Sequence, residues 1–200
     1  MMQVVLASNN AGKLREFSAI LSTAGIEMLP QSQLNVTEAE EPYGTFVENA
    51  LVKARHACQQ TGLPALADDS GLCVAALGGA PGVYSARYAS QDGGARSDAA
   101  NNAKLVADMA GHSDRRATYV AVLVFLSSAQ DPRPIIVEGS WQGQILDQPR
   151  GDHGFGYDPH FFLPDLGLTA AELAPDQKNR FSHRARALQG LLQVLQGRAS

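Results

Sequence analysis

The feature that most constrains the fold is the run from Ala117 to Leu126, which is almost entirely apolar and rich in β-branched and aromatic residues. Such a composition is typical of a central strand that is buried within a sheet. The segment from Pro134 to Ile145 alternates between apolar and polar residues, which predicts the antiparallel neighbour of that strand. We therefore expect the chain to be built around a buried sheet.

The N-terminal segment has the order strand, loop, helix, strand. Apolar runs from Val4 to Ala7 and from Ile26 to Leu29 predict the two strands. Helical spacing from Lys13 to Ala24 predicts the helix between them, and Gly25 would end it. This order of elements is typical of an α/β fold.

The rest of the chain predicts further elements of the same kinds. A strand from Leu63 to Ala67 would end at Asp68 and Asp69, and a hairpin-like segment from Leu72 to Leu77 would follow them. Residues 147–160 are expected to form a loop. Helices are expected at Phe46 to about Gln60 after a capping box from Thr45 to Glu48, at Asp98 to Met109, after a second capping box from Thr169 to Glu172, and at His183 to Leu195.

Composition and charge narrow the class of protein. The 200 residues are 44% hydrophobic and 18% charged, without repeats or low-complexity segments, so we expect one globular domain over residues 1–200. With 16 basic and 20 acidic side chains the net charge is −4, which disfavours nucleic acid as a partner. Cys58 and Cys73 match no zinc pattern. Neither a signal peptide nor a membrane span is indicated, so a cytoplasmic protein is expected.

The first candidate site is the loop between the first strand and the first helix. Small polar residues before a helix N-terminus place amide donors where a phosphate can bind, and Lys13 adds a positive charge. The loop is not a P-loop, because Leu14 stands where Ser or Thr would bind magnesium. The alternative is a helix-capping turn with a solvated lysine. The candidate substrate-binding residues here are Ser8, Asn9, Asn10, Ala11, Gly12 and Lys13.

The second candidate site combines acidic residues with Lys53. Adjacent carboxylates at Asp68 and Asp69 repel each other unless a cation compensates, and Mg²⁺ prefers such oxygen ligands. One carboxylate could hold the metal while its neighbour accepts a proton from an attacking water. An acidic turn that caps the next segment is the alternative. The predicted metal ligands are Glu40, Glu41 and Asp69, with Lys13 and Lys53 neutralising a polyphosphate.

The third candidate site lies in the loop that follows the strand predicted from Pro134 to Ile145. Glycines from Gly154 to Gly156 let the backbone approach a ligand, and Phe155 and Tyr157 could stack on a planar base while Asp158 accepts from a ring N–H. A tight turn with aromatic side chains in the core is the alternative. At the entry to the last helix, Lys178, His183 and Arg184 could donate to base oxygens or phosphates, and no general-base role is assigned to His183.

These motifs together resemble one family, the inosine/xanthosine triphosphate pyrophosphatases. The matching stretches are Ser8-x-Asn10-x-x-Lys13, Glu40-Glu41 followed by Thr45-Phe46-x-Glu48-Asn49-Ala50-x-x-Lys53-Ala54, Asp68-Asp69-Ser70-Gly71, the segment from Leu77 to Tyr88, Gly154 to Pro159, and Ser182-His183-Arg184. They span nearly the whole chain. Leu168 departs from the pattern, since relatives often carry Lys there, but it has no assigned chemistry.

The resemblance implies an α/β fold with an elongated mixed β-sheet, flanking helices and two lobes around a nucleotide-binding cleft. It implies Mg²⁺-dependent hydrolysis of ITP, dITP and XTP to the monophosphate and pyrophosphate, in a homodimer. By this resemblance Asp69 is the proton acceptor and a metal ligand, with either Glu40 or Glu41 as its partner and Asp68 in support. The residues expected to contact the nucleotide are the Ser8 to Lys13 loop, Lys53, Ser70, Phe155, Gly156, Tyr157, Asp158, Lys178, His183 and Arg184.

Three other functions stay open at this point. A pyrophosphatase for other modified nucleotides would use the same chemistry on a different base. A non-catalytic nucleotide sensor would use the same residues for binding alone. A nucleic-acid binder is disfavoured by the net charge. For a deaminated purine, donors from His183, Arg184 or nearby amides that face the 6-oxo group would oppose the amino group of adenine, and a mismatch of this kind discriminates by about 10⁴.

Overall fold

The computed structural model describes residues 1–91 and 95–199 of the chain. The strands within these residues are β1 Met2–Leu6, β2 Ile26–Pro30, β3 Ala65–Val74, β4 Arg116–Leu126, β5 Ile135–Ile145, β6 Phe161–Leu163 and β7 Leu168–Thr169. The α-helices within them are α1 Ala11–Leu21, α2 Phe46–Thr61, α3 Asp98–Asp108, α4 Pro175–Phe181 and α5 His183–Ala199. None of the helices in the described part of the chain is long and apolar enough to span a membrane.

The strands form one mixed sheet in the order β2-β1-β3-β4-β5-β6-β7. Strand β1 runs parallel to β2 and to β3, whereas β6 runs antiparallel to β5 and to β7. The run from Ala117 to Leu126 lies in β4, between β3 and β5, and its last six residues are all buried. The predictions of a mixed α/β sheet and of a central apolar strand are therefore confirmed.

The chain divides into two compact units, each with its own apolar core. Unit 1 comprises Met1–Asp69, Ala121–Gly139 and Arg184–Ser200, and its core includes Phe17 of α1 and Leu188 of α5. Unit 2 comprises Ser70–Val120 and Ser140–His183, and the rings of Trp141 and Phe161 pack in its core with centroids 5.7 Å apart. The single domain expected over residues 1–200 stays a prediction.

Strand β3 differs from the sequence prediction. The strand does not end at Ala67 but continues through Asp68 and Asp69 to Val74. The hairpin-like reversal predicted from Leu72 to Leu77 is present but extends further, with Ala75–Leu77 as a 3-10 helix and an antiparallel bridge between Cys73 and Pro81. The extended backbone persists because β3 is hydrogen-bonded to a strand on each side. Each of the two adjacent carboxylates is also paired with a lysine, Asp68 with Lys13 and Asp69 with Lys53, which compensates the repulsion between them.

Candidate active site

Asp68 is the centre of a buried ion-pair network in unit 1. Its side chain is fully buried, with Lys13 Nζ 2.9 Å and Arg184 Nε 3.2 Å from its Oδ2 atom. Arg184 Nη1 also lies 3.0 Å from Glu16 Oε2. Burial by itself would raise the pKa of Asp68, but the charges of Lys13 and Arg184 outweigh it and hold that pKa well below its usual range. Asp68 is therefore a permanent anion that positions two cations.

Asp69 has a different environment although it is the next residue. Lys53 of α2 donates to Asp69 Oδ1 at 3.0 Å and to the main-chain oxygen of Asp68 at 3.0 Å. The other oxygen, Asp69 Oδ2, is buried and has no hydrogen-bond partner among the described residues. Burial raises the pKa of Asp69, with Lys53 acting in the opposite direction. A carboxylate with one free oxygen and a raised pKa is suited to accepting a proton or a cation.

Of the two candidate glutamates, Glu41 is the one that the structure brings near Asp69. Glu41 Oε1 lies 3.5 Å from Lys53 Nζ, so the two carboxylates share one ammonium group. Glu40 and Glu41 are both exposed, so the ion pair with Lys53 is what distinguishes Glu41. One side chain anchors the segment that carries Glu41: Asn49 accepts from Tyr43 N at 3.1 Å and donates to Tyr43 O at 3.0 Å.

The arrangement around Asp69 fits a magnesium site in which the protein supplies only part of the coordination shell. Within residues 1–91 and 95–199 no group of three or more His, Cys, Asp or Glu side chains is arranged to hold a metal ion. Mg²⁺, however, is usually held by one or two carboxylates together with waters and substrate phosphates. The unpartnered Asp69 Oδ2 and the nearby Glu41 supply that number of carboxylates.

The loop from Ser8 to Lys13 is a capped helix N-terminus in the structure. Asn10 is the N-cap of α1, and its Oδ1 atom accepts from Gly12 N at 2.8 Å and from Lys13 N at 3.1 Å. Asn9 Nδ2 donates to Glu38 Oε1 at 3.1 Å. Two of the amides are thus bonded to Asn10, as the helix-capping alternative predicted, whereas Lys13 is not solvated as that alternative had it but pairs with Asp68. Phosphate binding by this loop stays a prediction.

In unit 2, Asp158 ties together the loop from Gly154 to Asp158, which we call the aromatic loop. Asp158 is buried, and its Oδ2 atom accepts from Phe155 N at 2.9 Å and forms an ion pair with Lys178. Its Oδ1 atom accepts from Tyr119 Oη at 3.3 Å. Because both oxygens are engaged within the protein, the geometry favours a positioning role for Asp158 over the expected contact with a base N–H.

The two aromatic residues of this loop have opposite environments. Tyr157 is buried and donates from its hydroxyl to Ser85 O at 2.7 Å, as the core alternative predicted. Phe155 is 57% exposed, and Lys178 Nζ lies 4.8 Å from the centre of its ring. An exposed ring beside an ammonium group is available for stacking on a planar ligand. Gly156 completes the loop in a left-handed conformation with φ of 62°.

The two basic residues at the start of α5 belong to different units and have different environments. His183 is buried in unit 2, where its ring stacks on Tyr119 with centroids 4.9 Å apart. Arg184, in unit 1, is buried against Asp68 and Glu16. Ser70 continues β3 in unit 2 and is half-buried. Nucleotide contacts by these residues stay predictions.

Sequence reasoning missed several residues that hold the site together. Glu16 lies three residues after Lys13 on α1, a spacing of opposite charges that could have indicated a shared environment. Tyr119 lies within the apolar run of β4, and nothing in the sequence separates it from an ordinary core residue. Asp98 and Asn102, on α3, bond the backbone of Gly156, and no motif marks them either.

The chain belongs to the Ham1 family, whose model matches residues 4–194. Among the similar proteins is the dITP/XTP pyrophosphatase of Bordetella pertussis, which is 69% identical over 96% of this chain and 91% of its own length. The dITP/XTP pyrophosphatase of Ralstonia nicotianae is 64% identical over 98% of this chain and 97% of its own. These matches confirm the family resemblance that the motifs indicated.

A solved structure of the same family confirms the fold. The HAM1 protein from Coxiella burnetii superposes with a TM-score of 0.93 at 48% sequence identity, covering 98% of this chain and all of that one. The dITP/XTP pyrophosphatase from Mycobacterium abscessus gives a TM-score of 0.78 at 41% identity. The mixed sheet with flanking helices is thus a property that this chain shares with solved relatives.

Proposed function

We propose that this chain hydrolyses deaminated purine nucleoside triphosphates (ITP, dITP and XTP) to the monophosphate and pyrophosphate, which keeps them out of nucleic acids. The chain is a nucleoside triphosphate pyrophosphatase, as relatives at 58–69% identity over nearly its whole length carry the name dITP/XTP pyrophosphatase. The observation that carries the proposal for the site is the contrast between Asp68, which is an ion-paired anion, and Asp69, which keeps one buried oxygen free.

In this proposal Asp69 accepts the proton of the attacking water. The water oxygen attacks the α-phosphorus, the bond from that phosphorus to the α-β bridging oxygen breaks, and pyrophosphate leaves. A raised pKa makes the Asp69 carboxylate a stronger base than an ordinary aspartate. Lys53, 3.0 Å from Asp69 Oδ1, keeps this carboxylate ionised until it receives the proton.

The cations of unit 1 would bind the triphosphate. In the empty enzyme Lys13 and Lys53 are each paired with a carboxylate at about 3 Å, so their charges are compensated. When a polyphosphate binds, its oxygens would pair with the same two ammonium groups. Asp69 and Glu41 are the residues that would hold Mg²⁺. The chemistry that Mg²⁺ supplies when bound is neutralisation of the charge that builds up on the phosphate oxygens.

The base would be bound by the aromatic loop of unit 2. Phe155 offers an exposed ring, and stacking of a base on an aromatic side chain contributes about 1–3 kcal/mol. Lys178 lies over that ring and could donate to a base oxygen. Since Asp158 bonds both Phe155 N and Lys178, it would act by fixing the position of the ring relative to the ammonium group.

The test is release of pyrophosphate from a panel of nucleotides with Mg²⁺ and with EDTA. We expect ITP, dITP and XTP to give monophosphate and pyrophosphate with a kcat/KM far above that of ATP, on the order of 10⁴-fold. Turnover should stop in EDTA. Equal rates on ITP, XTP, dTTP and UTP would overturn the purine specificity and favour a pyrophosphatase for other nucleotides. Release of orthophosphate instead would overturn the reaction itself.

A homodimer and a cytoplasmic location complete the proposal. The family resemblance supports the homodimer, and the acidic net charge of −4 agrees with a small-molecule substrate rather than nucleic acid. Sedimentation of the purified protein over a range of concentrations tests the dimer, since a chain of 21.2 kDa would double its mass on pairing.

A further inference from the structure

Helix α3 grips the backbone of the aromatic loop through two side chains. Asp98 Oδ2 accepts from Gly156 N at 2.7 Å, and Asn102 Nδ2 donates to Gly156 O at 2.8 Å. These residues are four apart, so they lie one above the other on a single face of the helix. Both polar groups of one residue in the loop are thereby bonded to one helix. We call Asp98 and Asn102 the α3 clamp.

The α3 clamp acts beside a third tie on the neighbouring residue. Asp158 Oδ2 accepts from Phe155 N at 2.9 Å, so three of the four polar backbone groups of Phe155 and Gly156 are bonded to side chains, and the fourth, Phe155 O, accepts from Asp158 N at 3.3 Å. Position 154 has room only for glycine, because a Cβ atom there would lie 2.0 Å from Asp158 Oδ2. The ring of Phe155 is nevertheless 57% exposed.

This arrangement is more than the fold of unit 2 needs. An exposed phenylalanine stabilises a fold little, yet the backbone that carries it is tied at each polar group. Asn102 is also unfavourable for folding, because its Oδ1 atom is buried and has no hydrogen-bond partner in the described residues. The hydrogen bond that its amide nitrogen donates to Gly156 O is therefore formed at a cost to the stability of the fold.

We propose that Asp98 and Asn102 are positioning residues that set the Phe155 ring for stacking on the base of the substrate. The inference rests on the proposed function, because it assigns the ring a planar ligand. Neither clamp residue would touch the substrate. Their effect passes through the Gly156 peptide to the orientation of the adjacent ring, which reduces the conformational freedom lost when the base binds.

Kinetics on ITP with Mg²⁺ test the clamp. Asp98→Ala should raise the KM about tenfold and Asn102→Leu about fivefold, with kcat within twofold of the wild type, because stacking stabilises the bound substrate and the transition state alike. Asp98→Asn keeps an acceptor oxygen and should restore most of the loss. The control is Ser97→Ala, which removes the cap of α3 without a bond to the loop and should leave the KM unchanged.

A double-mutant cycle with Phe155→Ala separates positioning from a general loss of structure. If the clamp acts through the ring, Asn102→Leu should add less than a twofold change in KM when Phe155 is already absent. An undiminished effect in that background, or a KM for Ser97→Ala raised as much as for the clamp variants, would overturn the inference. So would clamp variants with the wild-type KM. A wild-type protein without pyrophosphate release from ITP would instead overturn the proposed function, and the clamp's role with it.

Exchange of the Gly156 amide proton supplies a readout that does not depend on activity. Asp98→Ala should increase its exchange rate at least tenfold, whereas Ser97→Ala should change it far less. Unchanged protection in Asp98→Ala would overturn the clamp even if the KM rises.

Discussion

The buried carboxylates of the two units are stabilised in different ways. In unit 1, Asp68 Oδ2 is shared by two cations, Lys13 at 2.9 Å and Arg184 at 3.2 Å. In unit 2, Asp158 has one cation, Lys178, and its other partners are neutral donors. The buried carboxylate of unit 1 therefore holds two cations in place, whereas that of unit 2 holds a loop. Asp68 thus serves to neutralise two cations, whereas Asp158 serves to position the loop that carries the Phe155 ring.

The same contrast exists inside unit 1, between two consecutive residues. Asp68 is held as a permanent anion, while Asp69 keeps a free oxygen and a raised pKa. Successive side chains of a strand point to opposite faces, and the two carboxylates accordingly contact different lysines, Lys13 and Lys53. A pair of adjacent aspartates is thus divided into a structural anion and a candidate base.

The largest effect is expected from Asp69→Asn. The substitution removes the proposed proton acceptor, and kcat on ITP should fall on the order of 10³-fold, while ITP still binds. Binding by calorimetry and turnover by pyrophosphate release measure the two quantities. Retained turnover would contradict the assignment of Asp69 as the base. Wild-type protein that binds ITP without hydrolysing it would instead identify a nucleotide sensor.

Next in size is the loss of stability expected from Asp68→Asn. The neutral amide would leave Lys13 and the buried Arg184 without that charge, which costs about 3–5 kcal/mol of unfolding free energy. Asp158→Asn makes the same chemical change in unit 2 and should cost about 1–3 kcal/mol, because most partners there are neutral. Urea unfolding measures both, with the exposed Asp165→Asn as the control. Equal losses at the two sites would show that the contrast between the units has no energetic meaning.

A smaller effect is expected from Glu41→Gln. We expect the Mg²⁺ concentration for half-maximal activity to rise on the order of tenfold, since one of two proposed carboxylate ligands is lost. Glu40→Gln is the matched control, because Glu40 is adjacent in sequence and equally exposed, whereas Glu41 shares Lys53 with Asp69, and it should change that concentration less than twofold. The reverse pattern would assign the metal to Glu40.

The smallest effect concerns a carboxylate near the surface of unit 2. Tyr88 donates from its hydroxyl to Asp108 Oδ2 at 2.5 Å, and this bond, with help from Lys104, lowers the pKa of Asp108. The resulting stability is present above the unfolded pKa of about 3.9 and is lost as the pH falls through the lower folded value. Tyr88→Phe should therefore cost less than about 1 kcal/mol at pH 6, and the cost should shrink towards pH 3. A cost that does not depend on pH would contradict this account.

Local pattern predicted the elements well where neighbouring residues decide the structure. The helix predicted from Phe46 to about Gln60 is α2, capped by Thr45 at one end and by Gly62 in a left-handed conformation at the other. The capping box at Thr169 is also present, with Glu172 accepting from Thr169 N at 2.7 Å. Here it begins a single 3-10 turn, because the backbone becomes extended at Leu173, where ψ is 138°.

Local pattern failed where distant residues decide. The strand that the sequence predicts to end at Ala67 continues through Asp68 and Asp69. Lys13 lies on α1 and Arg184 on α5, and their approach to Asp68 depends on the packing of the whole of unit 1. No property of the residues around position 68 encodes that approach.

The sequence by itself determined the family, the mixed α/β sheet and the residue types of the site, since motifs and apolar periodicity are local and survive without coordinates. Tertiary structure alone decided that Asp68 pairs with Lys13 and Arg184, that Glu41 rather than Glu40 lies near Asp69, and that α3 bonds the Gly156 peptide. Those outcomes depend on distances between side chains from separate elements, and electrostatic and hydrogen-bond energies change steeply with such distances.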